Sequence, residues 1–221
     1  KDMLGGVDHA AALVAKAKSE VPEGASMLVA AGPTLFMNPE LSDEKKTQDL
    51  WKAESIAQAL SDMGLTAWTP GANDFAAGLP TLQSLAQKTN AAVLAGNLKA
   101  PNVALAATRI VEKNGHKIGI AGVSHPKSGL GVPKDVTLEE AQPALQRGLE
   151  ELKKSGAKIN VALVSMERGA ALRLAETVPG FQVMIIGKAS DRGEGNDAPT
   201  APVLIGSTLA VQAPNHLQAL G

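Results

Sequence analysis

Leu28-Val-Ala-Ala-Gly-Pro-Thr34 is the stretch from which the fold is read. Its apolar run is too short for a helix and is bounded by Gly32 and Pro33, so it forms a buried strand that ends in a sharp turn. Before it, Val7 to Glu20 carries apolar residues at helical spacing. After it, Ser42-Asp-Glu-Lys45 opens a helix with a capping residue and early acidic residues, and the pattern persists through Trp51, Ile56 and Leu60 to Met63 until Gly64 stops it. Helix, strand and helix then recur. Leu65 to Trp68 is a strand, Leu79 to Lys88 a helix, and Ala92 to Ala95 a strand.

Farther along, the order changes. Leu105 to Val111 and Lys117 to Val123 form a hairpin around Asn114-Gly115, a pair suited to the left-handed backbone of a tight turn. Leu138 to Ser155 is the clearest helix, with Thr137 three residues before Glu140 as a capping box and Gly156 as its stop. Ile159 to Ser165 and Val183 to Ile186 are strands flanking a helix from Arg168 to Thr177, and Val203 to Ile205 with Thr208 to Gln212 read as two antiparallel strands. Strands separated by helices early and paired strands later define an α/β (α+β) chain built as a two-sheet β-sandwich with helices outside.

Composition bounds the function. The 221 residues read as a single domain, 1–221, able to bury a sizeable core without disulfides. There is no cysteine, which excludes thiol catalysis and Cys-based zinc or iron-sulfur sites. With 21 basic and 22 acidic residues and no basic block, neither nucleic acid nor an anionic membrane is an expected partner. No apolar stretch reaches the roughly 18 residues that a spanning helix needs. With three phenylalanines, two tryptophans and no tyrosine, few rings are available to stack on a base or sugar.

Six segments together resemble the metallophosphoesterase (calcineurin-like) domain of the 5'-nucleotidase family. They are Leu28 to Thr34, Thr69-Pro-Gly-Ala-Asn-Asp-Phe75 followed by Gly78, Ala95-Gly-Asn97, Asn114 to Gly122, Val161-Ala-Leu-Val-Ser-Met166, and Pro179 to Ser190. They are similar to the family's Gly-Asp, Gly-Asn-His-Asp/Glu, Ala/Gly-Asn, Asn-Gly-x-Lys-Ile-Gly, Ser-His and Gly-His-x-His segments, in the same order. The resemblance implies the family's four-layer αββα sandwich, without its first strand, which carries an Asp-x-His segment, and without its last strand. It also implies an exported protein, periplasmic or at the cell surface, whose signal or lipoprotein anchor lies outside this sequence.

Carried across residue by residue, the resemblance puts Pro33 on the bridging aspartate, Ala72 and Asn73 on the ligand asparagine and catalytic histidine, Met166 on the histidine of Ser-His, and Lys188 and Ser190 on the last two histidines. Gln182 stands for an aspartate. Asp74, a carboxylate behind the ligands in that family, alone keeps its chemistry. A two-metal phosphoesterase needs carboxylates and imidazoles around two cations about 4 Å apart. Pro33 and Ala72 have no side-chain ligand, and Met166 has only a soft thioether. An ammonium at the Lys188 position would be repelled by about 8 kcal/mol from a divalent ion about 4 Å away at an effective dielectric of about 20. The expectation is a site with no metal, no cofactor and no catalytic residue.

Other groups carry weaker readings. Ser128 to Pro133 lacks the Lys-Ser/Thr of a phosphate loop, and Asp191 to Asp197 misses the calcium-loop spacing, so both read as surface segments. His9, His116, His125 and His216 share no ligand spacing. Ser124 and Ser165 end strands without the glycine-flanked elbow of a serine nucleophile. Met3, Met27, Met37, Met63, Met166 and Met184 read as core fillers.

Three function classes follow. The first is a non-catalytic interaction or structural protein whose partner is another protein in an exported assembly, with contact loops at Ser124 to Pro133 and Asp191 to Asp197. The second is a metal-free binder of a small anion or nucleotide through Asn73, Lys188, Ser190 and Arg192. The third is a 5'-nucleotidase-type phosphoesterase with an atypical site.

Overall fold

The computed structural model describes residues 6–125, 132–188 and 201–212. Five helices are α1 (Val7–Ser19), α2 (Lys46–Asp62), α3 (Leu79–Thr89), α4 (Ala141–Lys154) and α5 (Arg168–Thr177). The strands are β1 (Leu28–Ala31), β2 (Leu65–Thr69), β3 (Ala92–Val93), β4 (Leu98–Lys99), β5 (Thr108–Lys113), β6 (His116–Ser124), β7 (Thr137–Leu138), β8 (Ile159–Ser165), β9 (Val183–Ile186), β10 (Val203–Ile205) and β11 (Thr208–Gln212). A short 3-10 turn covers Ala72–Phe75.

Two sheets form the sandwich. One is three-stranded and wholly parallel, in the order β1-β2-β3, and the other is six-stranded, in the order β10-β11-β9-β8-β6-β5. Period-2 alternation divides the side chains of each sheet between two cores. Ala67, Leu94, Ile120, Val161 and Leu163 fill the space between the sheets. On the outer face of the small sheet, Trp68, Leu65 and Val93 meet Ala53 and Ala57 of α2 and Leu82 and Leu85 of α3. On the outer face of the large sheet, Val123, Ala162, Val164, Met184 and Ile186 meet Leu145, Leu149 and Leu152 of α4 and Ala171 and Leu174 of α5. The buried apolar side chains of each layer lie where it faces another, which is what fixes four layers.

The β5–β6 hairpin turns at Asn114 (φ 48°) and Gly115 (φ 76°), as its sequence predicts. Two expected helix starts differ. Lys45 and Lys46 N–H both donate to the Ser42 carbonyl, at 3.0 and 2.9 Å, so Ser42 begins a turn and α2 starts at Lys46. Thr137 does not cap α4, because Thr137–Leu138 pair antiparallel with Leu98–Lys99, and α4 begins at Ala141. Asn97 causes this: its carbonyl accepts from Glu139 N–H at 2.8 Å and its side-chain amide donates to the Glu139 carbonyl at 3.2 Å. The hairpin's first strand also starts at Thr108 and not at Leu105.

A candidate functional site at the carboxyl edge of both sheets

The parallel strands of the two sheets, β1 to β3 and β6, β8, β9 and β11, bring their carboxyl ends to one edge. Glycine makes the approach possible. A Cβ on Gly32 would lie 2.6 Å from both Asp74 Oδ2 and the Gly71 nitrogen, and one on Gly71 would lie 2.7 Å from the Pro33 nitrogen. Backbone and serine bonds then lock the edge. Lys188 N–H donates to the Gly32 carbonyl at 2.8 Å, and Gly187 N–H donates to the Val164 carbonyl at 2.8 Å. Ser165 Oγ donates to the Gly32 carbonyl at 2.7 Å, which ties β8 to the loop after β1. Ser124 Oγ donates to the Pro70 carbonyl, and Ser124 N–H donates to Asn97 Oδ1 at 2.9 Å.

Asp74 is the chemical centre of this edge. It is buried, with Oδ1 accepting from Thr34 N–H at 2.9 Å and Leu35 N–H at 2.7 Å, and Oδ2 accepting from Gly71 N–H at 2.8 Å. These donors lie in the loop after β1 and in the turn after β2, so one carboxyl group clamps two strand ends together. Burial pushes its pKa from 3.8 up to about 6, against the opposite pull of the three N–H donors.

The positions singled out in the sequence fall as follows. Pro33, Ala72, Asn73, Asp74 and Lys188 belong to this edge, joined through the bonds of Gly32, Gly71 and Asp74. Ala72 and Asn73 have no exposed surface, and Asn73 Nδ2 donates to the Phe36 carbonyl at 3.2 Å. Pro33 and Lys188 are half-buried. Met166 packs with the core beneath α4 and α5. Ser190, Arg192, His216, Met3 and the Asp191 to Asp197 loop lie outside the described residues, as does most of the Ser128 to Pro133 segment. His9, His116 and His125 are exposed. Of the other methionines, Met184 is buried and Met37 is 48% exposed. Gln182 Oε1 accepts from Asn160 N–H at 2.7 Å, which ties the residue before β9 to β8.

A pair of divalent cations does not suit this donor set. Pro33 and Ala72 supply no ligand, Asn73 is sealed from solvent, and both Asp74 oxygens already accept backbone hydrogens. Among the described residues, no three His, Asp or Glu side chains are grouped so as to hold a metal ion. The locking roles of Ser124 and Ser165 were not legible from sequence, where both invited a nucleophile reading. Their partners lie 54 and 133 residues away.

No protein-family model matches the sequence, and no curated protein matches it. Solved structures do match by shape. The sulfate thiohydrolase SoxB of Thermus thermophilus superposes over 95% of this chain with a TM-score of 0.75 at 19% identity. A putative 5'-nucleotidase from Staphylococcus aureus superposes over 96% with a TM-score of 0.74 at 16% identity, and a calcineurin-like phosphoesterase, YfkN of Bacillus subtilis, over 84% with a TM-score of 0.67 at 20% identity. This chain thus has the metallophosphoesterase fold. It spans 38%, 44% and 64% of the length of those three proteins. No described helix is long and apolar enough to cross a membrane.

Proposed function

We propose that this chain is a non-catalytic metallophosphoesterase-fold domain, exported to the periplasm or cell surface, that works as an interaction or structural protein. One observation carries the reading: the one carboxylate buried at the carboxyl edge among the described residues spends both oxygens on three backbone N–H groups, so it serves as a structural clamp. The residues around it, Pro33, Ala72, Asn73 and Lys188, include no carboxylate or imidazole to generate hydroxide or protonate a leaving group. A scaffold held this tightly at its former reaction centre keeps its shape, and shape is what a protein partner reads. Export is supported by the resemblance of the six sequence segments to the 5'-nucleotidase domain.

The test is a phosphate-release assay with nucleoside monophosphates, nucleotide sugars and a model aryl phosphate. Rates are expected to equal the protein-free blank with or without added manganese. Manganese-dependent release that survives further purification would contradict the proposal.

A further inference from the structure

The edge opposite the candidate site, where β1 and β2 begin and β5 ends, holds a cavity of about 270 Å³. Lys18 of α1, Glu23 and Ser26 of the loop after it, Leu28 of β1, Thr66 of β2 and Lys113 of β5 line it. Glycine lets these elements meet: a Cβ on Gly24 would lie 3.3 Å from Asn114 Oδ1, and one on Gly64 would lie 3.4 Å from Lys18 Nζ. The polar groups are largely unspent. Lys18 Nζ gives one hydrogen to the Met63 carbonyl at 2.7 Å, which leaves the others for a ligand. Among the described residues, Lys18, Glu23 and Lys113 form no ion pair, and the hydroxyls of Ser26 and Thr66 have no hydrogen-bond partner. Charges of both signs therefore line one cavity without neutralising each other.

We propose that this cavity binds a small zwitterion of the α-amino-acid class, its carboxylate on Lys113 and Lys18 and its ammonium on Glu23. Charge selects the class. Two ammonium groups and two hydroxyl donors suit a carboxylate. A plain anion is disfavoured, because Glu23 repels it and because α1 and α2 both end at this edge, where helix carbonyls attract cations. A zwitterion uses both signs. Size narrows the choice: about 270 Å³ falls below the roughly 300–1,000 Å³ of pockets for drug-sized ligands, which leaves room for an amino acid and not for a nucleotide. Met27 and Leu28 add an apolar wall beside the charged groups, so a short aliphatic side chain is favoured over a charged one. The site shares no residue with the carboxyl edge, and it does not rest on the proposed function.

Titration of the full-length protein with L-valine, followed by amide NMR shifts and by calorimetry, tests it. Isovalerate and isobutylamine are the controls, since each is valine with one of its two charged groups removed. Valine is expected to bind saturably, with shifts centred on Gly24, Gly64, Thr66 and Lys113, and each control should bind about tenfold more weakly or worse. Lys113→Met and Glu23→Gln should each weaken valine by about tenfold at an unchanged melting temperature, and Glu23→Gln should also erase the preference for valine over isovalerate. Isovalerate binding as tightly as valine to the wild type would overturn the proposal in favour of a simple anion site. The absence of any saturable shift at tens of millimolar valine would overturn it by showing an open, hydrated cleft.

Discussion

Replacing Asp74 by alanine is expected to cost about 4 kcal/mol of folding stability, read as a lower urea midpoint with an unchanged slope. The size follows from what the side chain does. Three N–H groups, of Thr34, Leu35 and Gly71, lose their acceptor in a region closed to water. Each orphaned buried donor costs about 1–3 kcal/mol, partly offset by removing a buried carboxyl group. Asp74→Asn should cost less, because its carbonyl oxygen keeps Thr34 and Leu35 while its amide meets Gly71 N–H donor to donor. The same pair of proteins reports the titration. With its pKa raised from 3.8 to about 6, Asp74 between those values holds a proton in the folded chain that the unfolded chain has released. Its contribution is therefore fully present below the unfolded value and is lost as pH rises to about 6, a fall of roughly 3 kcal/mol. Stability of the wild type relative to Asp74→Asn should decline over that window and level off above it. A flat difference would show that the folded carboxyl titrates normally.

Gly187→Ala should be at least as damaging, at about 4 kcal/mol or more, or should prevent folding. The added methyl would lie 2.5 Å from the Ala31 carbonyl oxygen and closer still to that of Gly32. Both obstacles are main chain, so no rotamer relieves them. The loop after β1 would have to part from β9, breaking the Lys188 N–H bond to Gly32 and the Ser165 hydroxyl bond to the same oxygen. Gly156→Ala is the internal control: no atom lies within 4 Å of where its added methyl would sit, so its cost is confined to backbone strain at φ 81°. Equal effects of the two substitutions would show that the edge is not close-packed.

Strands were the most legible part of the sequence. Leu28–Ala31, Ile159–Ser165 and Val183–Ile186 have the bounds that their apolar runs imply, because a run flanked by turn residues leaves little choice of ends. Helix starts were harder. Thr137 and Glu140 have capping-box spacing, but Asn97, about 40 residues away, draws that segment into a short strand pair. The candidate site was legible as a set of positions and illegible as a set of bonds. Asp74 stood out as the retained carboxylate, whereas its three N–H partners follow from how two loops meet. Met166 read as a core filler, and it packs in the core beneath α4 and α5. Only the packing of whole layers decides which way such a residue at the end of a strand turns.

Elemental analysis of the purified full-length protein tests most directly the proposal that a metallophosphoesterase fold is kept here without the chemistry of a dinuclear metal centre. No stoichiometric zinc, manganese or iron is expected, before or after incubation with these ions and removal of the excess. Two metals per chain, lost on chelation and regained on their return, would contradict it.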